Sequence, residues 1–203
     1  MEFGEVVRRR RMVRNYTDDP VDGDALSRIL DRAQRAPSAG FSQGVTFVVV
    51  ADEECRREIS RLAHEEEYVA DGFDPWISRA PIHVVVCVSK DAYLNRYRES
   101  DKGGPDGAAG SEEGWPVPYW WVDAGASMML LLLAAVDEDL AAGFLGSHNL
   151  RDLSTLLAIP DDVAPIGIVT IGHPAPDRRS ASLKRGRRTD AIHRERWSPP
   201  ARD

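Results

Sequence analysis

Four short segments carry side chains suited to gripping an anion or lining a flat ligand, and two of them lie near opposite ends of the chain. The first is Arg10-Arg11-Met12-Val13-Arg14-Asn15-Tyr16, at the end of an expected helix. Guanidinium groups hold phosphate through paired N–H donors, and a helix-to-turn junction lets several converge on one anion. The run equally reads as a solvated basic face. The second is Lys184-Arg185-Gly186-Arg187-Arg188, otherwise a plain basic tail. Between them lies Ala36-Pro37-Ser38-Ala39-Gly40-Phe41-Ser42-Gln43. Its small residues let backbone amides approach a ligand, and Ser38, Ser42 and Gln43 add hydrogen-bonding groups; an ordinary helix–strand connection has the same composition. The fourth is Leu145-Gly146-Ser147-His148-Asn149, between a predicted strand and a predicted helix. Amides at a helix start favour an anion or a developing negative charge, although a plain connection also fits.

No Ser, His and Asp set suggests a side-chain nucleophile, and the five histidines are scattered, with His148 the one nearest a candidate loop. No catalytic side chain and no metal site is expected. Cys55 and Cys87 are too far apart in sequence for a knuckle and too few for a disulfide framework, which suits a reducing, cytoplasmic setting. The N-terminus shows no apolar signal segment behind a basic start. Net charge is −7, so two local basic clusters in an acidic chain point to a small anionic ligand rather than to nucleic acid.

The elements that must position these segments follow from periodicity. Glu2–Arg11 is predicted as a short helix with Phe3, Val6 and Val7 on its apolar side. A second helix is capped by Asp22 or Asp24 and places Leu26, Ile29, Leu30 and Ala33 on one face. Val45–Val50, Ile82–Val88, Ala141–Leu145 and Ile166–Ile171 are predicted strands, the second without alternation and so buried on both faces. An acidic helix capped by Asp52 should reach about Val69, and Asn149 should cap a helix to Leu157. Tyr119–Asp137 is the central helix; its longest apolar run, Ala124 to Val136, is shorter than the ~18 residues a membrane span needs. Residues from about 91 to 118, centred on GGPDGAAGSEEG, are expected to form a lid-like insertion, and an extended tail begins at about 175. At 203 residues, a single domain of mixed α and β elements accommodates the whole chain.

The order of the four segments resembles the nitroreductase family of flavoenzymes over nearly the full length. That family opens with Arg-x-Ser-x-Arg-x-Phe or Tyr shortly before Pro-Val, and here Arg10 to Tyr16 precedes Pro20-Val21. Its Ala-Pro-Ser-x-x-Asn-x-Gln-Pro-Trp loop before a strand is matched by APSAGFSQGV, and its Asp-x-Gly-x-Ala helix by Asp123-Ala124-Gly125-Ala126. Leu157-Ala158-Ile159-Pro160, Gly172-His173-Pro174 and Arg185-Gly186-Arg187 match its ending. Departures are Met12 for a hydroxyl residue, Phe41 for an amide, Gly44-Val45 for Pro-Trp, and Asp139-Leu140-Ala141 for Gly-Leu-Gly.

The resemblance implies an α+β fold with a mixed sheet wrapped by helices, an obligate homodimer, and FMN at the subunit interface reduced by NAD(P)H. By that analogy Arg10, Arg11, Met12 and Arg14, with Arg185 and Arg187, bind the phosphate end of FMN. Pro37, Ser38, Ala39, Gly40, Phe41 and Gln43 line the flavin from the partner subunit, and the amides of Leu145, Gly146 and Ser147 face its ring. Phe41, Tyr93, Tyr97 and Trp115 are the expected contacts for an aromatic, quinone or nitro acceptor. A PSxGF loop also occurs in the branch that fragments flavin to dimethylbenzimidazole. A dehalogenase-like branch clamps an amino acid with lid residues, for which Tyr93, Arg96, Tyr97, Glu99 and Lys102 are on offer; a flavin-binding module without turnover is the remaining alternative.

Overall fold

The computed structural model describes residues 1–102, 110–147, 150–178, 181–188 and 190–197. Among them, four strands make one sheet: β1 (Val45–Val50), β2 (Ile82–Val88), β3 (Ala141–Gly146) and β4 (Ala164–Gly172), in the order β1-β2-β4-β3. Every residue of β2 is buried, and its side chains divide by parity. Val84, Val86 and Val88 face one core and Val85 and Cys87 the other, as the two-residue repeat of a strand requires. The sheet is therefore sandwiched between two helical layers.

The first layer holds α2 (Gly23–Ala33) and α7 (Tyr119–Asp137). Asp22, rather than Asp24, caps α2, its carboxylate accepting the Ala25 N–H at 2.8 Å. Ile29 and Ala33 then pack with Leu131, Leu132 and Ala135 of α7 over Val84 and Val86. At 19 residues α7 is about 28 Å long and runs back along the sheet. By length and apolarity it is the one described helix able to cross a membrane. Its inner side packs on α2 and on β2, β3 and β4, whereas Trp121, Val122 and Met129 are exposed.

The opposite layer is built from α3 (Glu53–Leu62), α4 (Glu65–Ala70) and α5 (Trp76–Arg79), with Ile59, Trp76 and Ile77 against Val85 and Ile168. Asp52 caps α3 as expected, but the helix does not continue to Val69. The chain turns through a left-handed residue, His64 (φ 54°), and restarts as α4. The break turns Glu65 inward, where its carboxylate accepts the amides of Ile77 (2.5 Å) and Ser78 (3.0 Å).

The α+β class holds, but the expected mixed sheet is antiparallel at all three pairings. Strands β2 and β3 do run the same way, joined by the α7 crossover; β4 enters between them and pairs antiparallel with both. The expected lid also begins with regular structure. Ser89 accepts the Ala92 N–H at 3.3 Å and starts α6 (Lys90–Arg96), which buries Tyr93 and Leu94. Residues 103–109, the centre of that insertion, lie outside the described residues.

Candidate functional site

The arginine segment leaves α1 (Phe3–Arg9) in extended conformation and runs beside β3, the edge strand. The Val13 N–H donates to the Ala142 carbonyl at 3.0 Å. Gly143 makes this approach possible, because a Cβ there would meet the Val13 carbonyl oxygen at 2.5 Å. Tyr16, fully buried, places its hydroxyl 2.7 Å from Thr170 Oγ1 on β4 and pairs through its backbone with Pro174. The start of the tail then lies over the segment: Thr17 N–H donates to the His173 carbonyl, and Ala175 N–H to that of Asn15.

Two polar side chains fasten this arrangement. Asn15 is buried; its amide donates to the Pro176 carbonyl (2.8 Å), and its oxygen accepts from Arg79 (2.6 Å). Asp177 accepts from Arg11 Nη1 (2.5 Å) and from the Arg14 backbone N–H (3.0 Å). Arg11 is thereby neutralised inside the chain, as are Arg8 by Glu5 and Arg9 by Asp139. Arg10 and Arg14 are different: both are half-buried, and neither has an ion-pair partner among the described residues. The Arg14 guanidinium lies 5.8 Å from the centre of the Trp76 ring. The expected ligand arginines thus separate into two available cations and one structural one. Met12 is not a polar contact; it is half-buried and packs against the α2–α7 core. Arg185 and Arg187 are exposed in the tail.

The second half of the site leads into β1, the opposite edge of the sheet, three strand spacings or about 14 Å from β3. Ala39–Phe41 makes a single tight turn with Gly40 at φ 62°, followed by left-handed Phe41 (57°) and Gln43 (51°). Two left-handed non-glycine residues so close together store strain that the surroundings must hold. Ser38 Oγ accepts the Gln43 N–H (3.0 Å), and Ser42 donates to the Ala39 carbonyl (2.6 Å). From α7, Asp123 accepts the Ala39 N–H at 2.8 Å; from α6, Arg96 Nε donates to the Gly40 carbonyl at 2.9 Å. Pro37 is exposed, and Phe41 projects a ring that is 74% exposed.

Tyr97, Trp115 and Tyr119 stand beside this turn, bounding with Ala39 and Gly114 a shallow recess of about 270 Å³. The Tyr97 and Trp115 rings meet edge to face at 4.7 Å. Tyr93 does not join them as an open contact; it is fully buried, edge-on to Trp115 and Trp120. Burial, and then the neighbouring Asp123 carboxylate, pushes its phenol well above the usual range, and its hydroxyl makes no hydrogen bond of ordinary geometry. Leu145, Gly146 and Ser147 form and follow the end of β3, half-buried on the arginine edge. His148 and Asn149 lie outside the described residues, and α8 (Leu153–Leu156) starts only at Leu153, so these amides belong to a strand end. Groups of three or more His, Cys, Asp or Glu placed to hold a metal are absent among the described residues.

The model of the nitroreductase family matches residues 7–173, a span holding the arginine segment and the 38–43 turn. The chain belongs to the nitroreductase family. An FMN reductase [NAD(P)H] of Bacillus subtilis is 33% identical over 190 residues, covering 92% of this chain and 71% of that protein. An NADPH-dependent oxidoreductase of Staphylococcus aureus is 22% identical over 89% of this chain and 68% of its own length. Among solved structures, the hypothetical oxidoreductase YcnD of Bacillus subtilis superposes with a TM-score of 0.72 at 27% identity, covering 98% of this chain and 76% of that one. In this nitroreductase-family chain, sequence reasoning missed Asp177, Asn15 and the role of Asp123, and it offered Arg96 only as a lid residue, not as the partner of the Gly40 carbonyl. A solitary acid or amide gives no periodic signal, and only the fold reveals which backbone group it satisfies.

Proposed function

We propose that this chain is an FMN-dependent NAD(P)H oxidoreductase acting as a homodimer in the reducing cytoplasm, with a quinone, nitroaromatic or similar flat acceptor. The observation that supports it is the division of the binding groups. Arg10 and Arg14, half-buried and without an ion-pair partner among the described residues, lie beside one edge strand of the sheet, and the strained turn 39–43 leads into the opposite edge strand. Within one chain the two halves face opposite edges of the sheet. Two copies related by a twofold axis bring them together, each lending its turn to the other's arginines.

Half-buried guanidinium groups without a carboxylate fit a terminal phosphate. Arg10 and Arg14 hold it, assisted by Arg185 and Arg187, while Arg11 shapes the loop through Asp177. Pro37 to Phe41 and Gln43 of the second copy line the ring, and the exposed Phe41 side chain gains cover there. FMN supplies the hydride chemistry, so no side chain need serve as nucleophile or base. The amides of Leu145, Gly146 and Ser147 offer fixed donors to the negative charge that reduction adds to the ring. Phe41, Tyr97 and Trp115 provide aromatic walls on which a flat acceptor stacks. The exposed face of α7, Val122 and Met129 with small residues Gly125 and Ala126 between, is the apolar surface for the second copy.

The test is the absorbance of the purified protein between roughly 350 and 500 nm, before and after anaerobic NADPH. Flavin bands that bleach support the reading. Absence of flavin after reconstitution with FMN overturns it, and bands that no hydride donor bleaches point to a binding module without turnover.

A further inference from the structure

Arg96 occupies an unusual junction. It ends α6 with its side chain 21% exposed and divides its donors between two segments. Nε donates to the Gly40 carbonyl at 2.9 Å, while Nη1 and Nη2 grip Asp101 in a two-point contact, both at 2.7 Å. Glu99 lies on Nη1 at 2.9 Å. The Lys102 N–H closes onto the Glu99 carbonyl, forming the turn that brings Asp101 back over the helix end. Arg96 also holds the Asp101 carboxyl down to about 2, so the contact stays ionised across the working pH range.

A guanidinium is planar, and pinning one edge with a carboxylate fixes the direction of the remaining N–H. Asp101 therefore aims Nε at Gly40. The adjacent Tyr97 ring presses on the same residue, where a Cβ would meet it at 2.6 Å. With Asp123 on the Ala39 N–H, the turn is held from two helices, at the peptide before Ala39 and at the peptide after Gly40. Of the two, the Arg96 hold is relayed to residues 99–101, within the first half of the insertion.

We propose that Arg96 is a positioning residue, clamped by Asp101, that sets the Gly40 turn beside the acceptor recess and so couples the start of the insertion to acceptor binding. This rests on the reading of residues 38–41 as the ring-side loop. The clamp acts on the acceptor half-reaction, because Tyr97 and Trp115 share their recess with that turn, whereas the phosphate arginines at the other sheet edge are untouched. Lysine cannot replace Arg96, since one ammonium lacks the fixed fork that reaches carbonyl and carboxylate together.

The test uses the FMN-loaded full chain, a water-soluble 1,4-benzoquinone as acceptor, and the variants Arg96→Ala, Arg96→Lys and Asp101→Asn. Flavin content is measured first. The expected result is near-stoichiometric FMN in all proteins, held by the phosphate arginines, and a quinone KM raised roughly tenfold or more in both Arg96 variants, with the anaerobic reduction rate by NADPH falling by less than that. Asp101→Asn should move KM in the same direction, and adding it to Arg96→Ala should change little further, as expected for residues acting as one unit. Unchanged quinone KM in FMN-loaded Arg96→Lys and Asp101→Asn overturns the clamp. Full rescue by Arg96→Lys of a defect in Arg96→Ala also overturns it, because charge alone would then suffice. A parent protein that holds no FMN overturns the site reading instead.

Discussion

Replacing Arg14 with Ala separates a ligand arginine from a structural one. Within the protomer the guanidinium has no carboxylate partner among the described residues and lies over the Trp76 ring, 5.8 Å from its centre. Losing that contact costs about 0.5–1 kcal/mol of fold stability. Against a phosphate, the half-buried cation contributes far more, about 2–4 kcal/mol for a desolvated charge-assisted bond. The expected rise in FMN dissociation constant is therefore about 30- to 900-fold, with little change in Tm. Arg11→Ala should do the reverse in proportion. It strands Asp177, whose side chain is only 5% exposed, and should lower Tm more than Arg14→Ala does. Arg8→Ala removes an exposed pair with Glu5 and should change neither quantity measurably. Quenching of flavin fluorescence on titration gives the affinities, and a thermal melt of the apoprotein gives the stabilities. Wild-type FMN affinity in Arg14→Ala at low salt refutes the phosphate assignment outright.

Acid should weaken the fold through His83, which is buried on β2 with Nε2 against the Ile77 carbonyl and Nδ1 unpartnered. Burial pushes it from 6.5 down to about 4, so the unfolded chain takes up the proton first as pH falls. Stability is then lost between those two values, by about 3 kcal/mol in all, and urea melts at pH 7, 5.5 and 4 should show a loss that His83→Gln flattens. Gly143→Ala should push Val13 off β3 and cost about 1–3 kcal/mol in urea unfolding, with weaker FMN binding; an unchanged variant would mean the arginine segment does not need this approach. Light scattering should find a dimer, its interface of the obligate class above roughly 2,000 Å², and Met129→Glu should dissociate it and release flavin together; a monomer that keeps FMN contradicts the shared site.

The long, strongly patterned elements were legible in the sequence: α2, α7, and strands β1 and β2 at their observed bounds. Those elements bury a face or two faces, so hydrophobic periodicity reports on them directly. Shorter features answer to tertiary partners instead. The break at His64 exists because Glu65 must reach the amides of α5, a helix of four residues with no periodicity to read. Tyr93 looked like an available aromatic in a polar stretch, yet a Ser89 cap turns that stretch into a helix and rotates the ring inward. The antiparallel sheet depends on β4 entering between β2 and β3, a choice of neighbour that strand-by-strand reading does not contain. At the site, the positions of Arg10, Arg14 and the 38–43 turn were legible as chemistry. Which arginine is occupied was not, since Asp177 lies more than 160 residues from Arg11 and Arg14.

Placing the arginines on one sheet edge and the turn on the other also has a genetic meaning. On the proposed shared site of a homodimer, damage to the two halves should fall into two complementation groups within a single polypeptide. In a mixed dimer of an Arg14 variant with a turn variant, one pocket inherits both lesions and its twin inherits neither. Random reassortment of two inert proteins in equal amounts should therefore restore roughly a quarter of the parental activity, a recovery that two lesions in the same half cannot produce.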